Sequence, residues 1–137
     1  MRVLALAAAC EATLGVVLLF DPPIVFGLLL GAEASGAGLV MGRVAGIALL
    51  GLSLACWPDR GASLRQPALR AMLTYNALAT LYLFHLGIRG EWADRLLWPA
   101  AVLHAVLTIW CFVAMQRREA PAGDPARKVA AEAKAGP

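Results

Sequence analysis

The sequence predicts an all-α integral membrane protein, built as an up-down bundle of four transmembrane helices. Hydrophobic residues make up 61% of the 137-residue chain, well above the roughly 45–50% that is usual in soluble domains. These residues come in long runs, and stretches such as GIALLGLSLACW lack the strict alternation of a membrane-barrel strand. Because a helix satisfies its own backbone hydrogen bonds in lipid, each run is interpreted as a spanning helix.

Four apolar runs have the roughly 17–25 residues that a helix needs to cross the hydrocarbon core of a bilayer. Proline lies at or near the boundaries of these runs, where it ends a helix or occupies a first turn. Residues 1–115 are therefore predicted to form one transmembrane domain. The predicted spans are residues 3–20, 39–57, 68–88 and 96–115.

Two segments outside the spans receive different predictions. Residues 22–32, PPIVFGLLLGA, are apolar but too short to cross a membrane, so they predict a short interfacial or re-entrant helix after the first span. Residues 116–137 are rich in alanine, proline, glycine and charge, a composition that cannot bury a core. They predict a disordered cytoplasmic tail.

The orientation follows from the placement of lysine and arginine near the ends of the spans. Most of these residues lie at the N-terminus, in the middle loop or on the tail, whereas only Arg89 and Arg95 fall in the last loop. Both termini are therefore predicted to face the cytoplasm. The basic residues on the cytoplasmic side are Arg2, Arg60, Arg65, Arg70, Arg117, Arg118, Arg127, Lys128 and Lys134.

The second span carries glycines at four-residue intervals, namely Gly38, Gly42 and Gly46 in GLVMGRVAG. Small residues at this GxxxG spacing let two helix backbones approach closely. The predicted partner is the first span, where Ala8 and Gly15 belong to a matching stripe of small residues. Another membrane protein, or a second copy of the chain, is the alternative partner.

Polar residues inside the spans form the candidate site. Glu11 and His104 lie at the middle of the first and fourth spans, and Arg43 lies roughly 7 Å from the midplane. An ionisable side chain at this depth is costly unless it faces the bundle interior and finds a partner. We therefore expect a cluster of Glu11, Arg43 and His104, with Asn76 and Thr80 as further hydrogen-bond partners.

Structural alternatives to this cluster stay open. A buried ion pair can serve only to fix the register of the helices, Arg43 can reach the outer head groups, and His104 can be a core residue with a satisfied ring. The three cysteines lie in predicted spans without ligand spacing, so they are interpreted as small core residues, and no metal site is expected. No catalytic motif is present and nothing indicates nucleic-acid binding.

The segments CEATLG, MGRVAGIALLGLSLACWP and LRAMLTYNALATLYL together resemble the small four-helix bacterial membrane proteins of the DoxX-like type. The resemblance covers residues 1–115 in outline. It implies an up-down four-helix bundle in the bacterial cytoplasmic (inner) membrane and, from some relatives, a link to quinones or respiratory complexes. It assigns no catalytic residue.

Three functions are compatible with these features. The first is a non-enzymatic accessory or scaffold subunit that packs against a larger membrane complex or forms a homo-oligomer, favoured by the glycine stripe, the short loops and the lack of catalytic chemistry. The second is a binding module for a quinone, a lipid or a similar apolar molecule at the Glu11, Arg43 and His104 cluster, with an optional link to protons. A small transporter is third, since no internal repeat is visible.

Overall fold

A computed structural model of the protein describes residues 2–57, 64–90 and 94–119. These residues form five helices and no strand, which confirms the all-α prediction. Four of the helices are long and apolar enough to cross a membrane, and they correspond to the four predicted spans. The helices are α1 Arg2–Phe20, α2 Pro22–Leu30, α3 Ala37–Ala55, α4 Arg65–Arg89 and α5 Leu97–Glu119.

Helices α4 and α5 extend beyond the apolar runs that predicted them. α4 begins at Arg65, so Pro67 lies within its first turn and does not open it. The amides of a first turn have no partner inside the helix, so proline costs no hydrogen bond there. α5 continues past the end of the apolar run to Glu119. The backbone hydrogen bonds of a helix do not require apolar side chains, so polar residues can extend it. Residues 116–119 of the predicted disordered tail (116–137) thus belong to α5, so the prediction was wrong there, and residues 120–137 lie outside the described residues.

The short helix α2 lies where the sequence predicted a short helical segment. Pro22 and Pro23 occupy its first positions, where their fixed backbone angle favours helix initiation. Gly31 ends it in the left-handed conformation, at a φ of 62°, and its amide donates to the carbonyl of Gly27. The loop before α5 then bonds back to α2, since the amide of Leu96 donates to the Leu28 carbonyl at 3.0 Å.

The helices associate mainly as two pairs, α1 with α3 and α4 with α5, and α1 also contacts α4 and α5. In the first pair the backbones meet at glycine. A Cβ atom built on Gly46 would lie 2.7 Å from the Gly15 carbonyl oxygen and 2.8 Å from the Leu19 amide nitrogen. Gly42 faces α2 instead, where its Cβ would meet Pro22 at 2.9 Å, and nothing lies near Gly38. The sequence-predicted glycine stripe thus has two different neighbours along its length.

Much of the outer surface of the bundle is apolar. Leu81 on α4 and Ile109 on α5 are 68% and 63% exposed, and large side chains of this kind recur along all four long helices. Water-soluble monomers rarely expose apolar patches of such extent. Together with the four long apolar helices, this surface suggests a multi-pass membrane protein.

Buried apolar residues near one end of the bundle join α1, α4 and α5. Cys56 and Cys111 lie among them as free thiols, whereas Cys10 is half-buried. The cluster thus holds small and medium side chains in close contact, as is usual for a packed core. Its members are Val3, Leu4, Ala7, Ala8, Cys56, Ala68, Leu69, Met72, Leu107 and Cys111.

We predict that Gly46→Ala destabilises the protein, because the new Cβ meets backbone atoms of α1 that cannot move aside separately. Overpacking of this kind costs about 1–3 kcal/mol. Gly51→Ala is the control, since it lies on the same helix with nothing within 4 Å of its built Cβ. There the higher helix propensity of alanine leaves stability unchanged or slightly raised. Unfolding in mild detergent provides the measurement, and equal stability of the two variants contradicts the packing described.

Candidate functional site

A carboxyl group lies buried at the middle of α1. Glu11 is 1% exposed, and its side chain points into the bundle from the side of α1 that also buries Ala8 and Gly15. Neither carboxyl oxygen has a hydrogen-bond partner within the part of the chain that the structure describes. A buried polar group without a partner costs roughly 1–3 kcal/mol, and more if it is charged. Among the described residues, Glu11 is therefore the least satisfied buried side chain.

A buried hydrogen bond between α4 and α5 lies next to Glu11. The Nδ1 atom of His104 is 2.8 Å from Oδ1 of Asn76, and Nδ2 of Asn76 donates to the Met72 carbonyl at 2.9 Å. A carbonyl can only accept, so the amide of Asn76 must turn its nitrogen to Met72 and its oxygen to the histidine. His104 therefore carries its proton on Nδ1 and donates it to Asn76. In the neutral ring, Nε2 is then left with a free lone pair.

Glu11 and His104 are neighbours without being hydrogen-bonded. Nδ1 of His104 lies 3.8 Å from Oε1 of Glu11, which is too long for a hydrogen bond. Since Asn76 already accepts the Nδ1 proton, the histidine does not satisfy the carboxyl. The acidic side chain of Glu11 thus lies beside the basic side chain of His104, but the histidine N–H donates its hydrogen bond to Asn76.

Tyr75 is a member of the site that the sequence analysis did not select. Its ring makes an edge-to-face contact with His104, with the centroids 5.9 Å apart. Its hydroxyl lies near enough to Glu11 for an electrostatic interaction, although the carboxyl oxygens have no partner at hydrogen-bond geometry. A usable signal was present, since a tyrosine well inside an apolar span needs a polar neighbour for its hydroxyl.

The other predicted site residues lie at different distances from this centre. Asn76 is part of it, and Thr80 lies one turn further along α4, where its hydroxyl donates to the Asn76 carbonyl at 2.7 Å. Arg43 is exposed, and among the described residues it forms no ion pair with Glu11. The expected Arg43 contact is therefore not formed. Arg43 follows Gly42, which faces α2, and one residue rotates the helix face by about 100°, away from the bundle interior.

Glu11 and His104 line an open groove of about 690 Å³ between α1 and α5, closed at one end by α2. Its other walls are almost entirely apolar, which is typical of a small-molecule pocket with a few polar groups. The apolar residues that line it include Leu14, Val17, Leu28, Leu29, Leu103 and Leu107.

A second groove of about 780 Å³ lies on the other side of α1, between α3 and α4. It shares Leu14, Val25, Leu29 and Leu83 with the first. Tyr75 and Tyr82 line it, but no buried unpartnered polar atom of the described residues belongs to it. Of these two grooves, the one at Glu11 combines an apolar wall with an unsatisfied buried group.

Comparison with known proteins does not assign the chain to a family. No family model, no curated protein and no solved structure matches it. Function therefore has to be inferred from the side chains of the site.

We predict that Asn76 and His104 contribute to stability as a coupled pair. Asn76→Ala and His104→Ala should each lower the free energy of unfolding by about 1–3 kcal/mol, because each removes one end of a buried hydrogen bond. The double variant should lose clearly less than the sum of the two, with a coupling of about 0.5–3 kcal/mol.

The control for this coupling is Ser53→Ala on α3, whose buried hydroxyl bonds only to the Leu49 carbonyl of its own helix. Combined with Asn76→Ala, it should give additive losses. Additive losses for Asn76→Ala with His104→Ala would show that the two residues act independently, against the geometry described.

Proposed function

We propose that this protein is a small multi-pass membrane protein that binds an apolar small molecule, such as a quinone or a lipid, through a polar end placed at Glu11 and His104. The observation that carries the proposal is that Glu11, which lines an apolar groove, has two buried carboxyl oxygens without a hydrogen-bond partner among the described residues. A ligand in the groove supplies the missing partner.

The free-energy cost of burying Glu11 without a partner favours ligand binding over a purely structural role. If Glu11 only fixed the register of the helices, it should hold a close partner, because a half-satisfied buried polar pair is less stable than an apolar core. The nearest basic atom, Nδ1 of His104, is 3.8 Å away and its proton is donated to Asn76. Glu11 thus costs stability without specifying a contact, which is the pattern expected where a ligand completes the site.

The accessory-subunit hypothesis stays a prediction. Exposed side chains such as Val44 and Ile47 on α3 suit a protein partner as well as lipid. This hypothesis gives no role to the unpartnered carboxyl, so ligand binding is the better supported function. Among the described residues, no specific contact favours proton linkage, enzymatic activity or transport.

We also propose the bacterial cytoplasmic membrane as the location, with both termini in the cytoplasm. Support comes from the distribution of lysine and arginine and from the resemblance of residues 1–115 to DoxX-like proteins. An up-down arrangement of the spans follows from this orientation.

We predict that Glu11→Leu stabilises the ligand-free protein and abolishes ligand retention. Leucine removes two unpartnered oxygens and leaves the His104–Asn76 hydrogen bond intact, so the free energy of unfolding should rise by about 1–3 kcal/mol. Denaturation of delipidated protein in mild detergent measures this. Mass spectrometry after gentle purification should find a bound lipid-like molecule on the unchanged protein and none on the variant.

Glu11→Gln is the matched control, because it keeps the shape and the polarity. It should not give the stability gain of leucine, since its amide atoms also lack partners. A loss of stability in Glu11→Leu would favour the register role instead. A protein that purifies without any bound small molecule would count against binding.

We predict that reporters fused after residue 2 and after residue 119 both report a cytoplasmic location. The physical reason is that translocating the arginines near these ends is unfavourable. A matched fusion in the loop after α4, near Arg89, should report the opposite side. Identical locations for all three reporters would contradict the proposed threading.

A further inference from the structure

We infer that the groove at Glu11 selects a ligand whose polar end donates hydrogen bonds, such as an alcohol, a hydroquinone or an amine, over an isomer that only accepts them. This inference rests on the proposed function and specifies its ligand. It depends on the protonation pattern that the Asn76–His104 contact imposes and on which side chains reach the groove.

The groove presents more acceptors than donors in either state of Glu11. An ionised carboxyl has two accepting oxygens, and a neutral one still has an accepting carbonyl oxygen beside its single O–H. Both oxygens lack a partner among the described residues. The buried carboxyl group of Glu11 is therefore an acceptor, wholly or in half, and the Thr13 hydroxyl on the same groove donates to the Ala9 carbonyl of its own helix.

His104 adds a further acceptor. Its Nδ1 proton is committed to Asn76, so Nε2 of the neutral ring accepts. Nε2 has no hydrogen bond to the described residues and is absent from the buried unpartnered atoms. Since His104 lines the groove, Nε2 is open to a bound molecule. His104 and Glu11 both line this groove.

The donors of the neighbourhood are directed elsewhere. The amide of Asn76 donates to Met72, and the hydroxyl of Thr108 donates to the His104 carbonyl within α5. Tyr75, whose hydroxyl interacts with Glu11, lines the groove on the other side of α1 and does not line this one. A ligand with only acceptor atoms thus finds at most the single O–H of a neutral Glu11, whereas a donor finds up to three acceptors. The apolar walls at Leu103 and Leu107 suit its hydrocarbon part.

Three twelve-carbon probes test this selection on the full chain in mild detergent. 1-Dodecanol donates a hydrogen bond, its isomer methyl undecyl ether only accepts, and dodecylamine donates as a cation. We expect the alcohol to bind about tenfold or more tightly than the ether, because hydrogen bonds to a charged group are strong and an acceptor placed there stays unpaired. Native mass spectrometry or probe-induced thermal stabilisation gives the affinities.

The amine identifies the state of the site. Binding of the amine more tightly than the alcohol points to a cationic ligand and an ionised Glu11, whereas preference for the alcohol points to a neutral donor. Both results support the inference. The ether binding as tightly as the alcohol overturns it and leaves the proposed function standing. Failure of all three probes to bind, together with a protein that purifies empty, overturns both.

Glu11→Gln distinguishes selection from a general loss of the fold. Its side chain replaces one acceptor with an NH₂ donor, so the preference for alcohol over ether should shrink at least several-fold and binding of the ether should improve. A merely structural role for Glu11 would weaken both probes alike. Ser53→Ala, which removes a buried hydroxyl from α3, should keep the original preference.

Discussion

The close approach of α1 and α3 at Gly15 and Gly46 is the constraint on which the rest of the bundle depends. Any side chain at these positions would meet backbone atoms of the facing helix at about 2.7–2.9 Å. Because the backbones meet there, α1 packs deeply and reaches α4 and α5 on its other side. This central place buries Glu11, although nothing in α1 itself stabilises a carboxyl group. The burial of Glu11 is thus a consequence of the close packing of α1 against α3.

Near Glu11 the fold leaves the carboxyl group without a partner but satisfies the neighbouring amide and hydroxyl groups of Asn76, Thr80 and Thr108. Asn76 bonds to both Met72 and His104, and the threonine hydroxyls bond back to carbonyls of their own helices. In apolar surroundings, two carboxyl oxygens without hydrogen bonds lower the stability of the fold, because no water replaces the missing partners. A fold selected only for stability would place an apolar residue there. The missing partner of Glu11 is therefore the feature on which the proposed binding site depends.

Sequence alone predicted the helices well and the site in part. The spans follow from apolar runs whose length the bilayer dictates, and Glu11, His104 and Asn76 came together because polar side chains in spans turn to the interior. The prediction for Arg43 was wrong, because the packing of Gly42 on α2 and of Gly46 on α1 fixes the rotation of α3 and turns Arg43 outward. The two grooves were missed because they depend on distances between helices, which no periodicity encodes. Tyr75 could have been selected, since a tyrosine hydroxyl inside an apolar span needs a polar neighbour. The proton position on His104 likewise needed the Asn76 contact.

Helix α2 gives the groove its end and connects the packing of α3 to the position of α5. Pro22 and Phe26 rest on Gly42, while the carbonyls of Leu28 and Leu29 accept from the loop that precedes α5. A nine-residue helix is marginal alone, so its place depends on contacts at both of its ends. The same helix supplies groove wall through Leu28 and Leu29. Moving α2 would thus change the groove, the Gly42 contact and the start of α5 together.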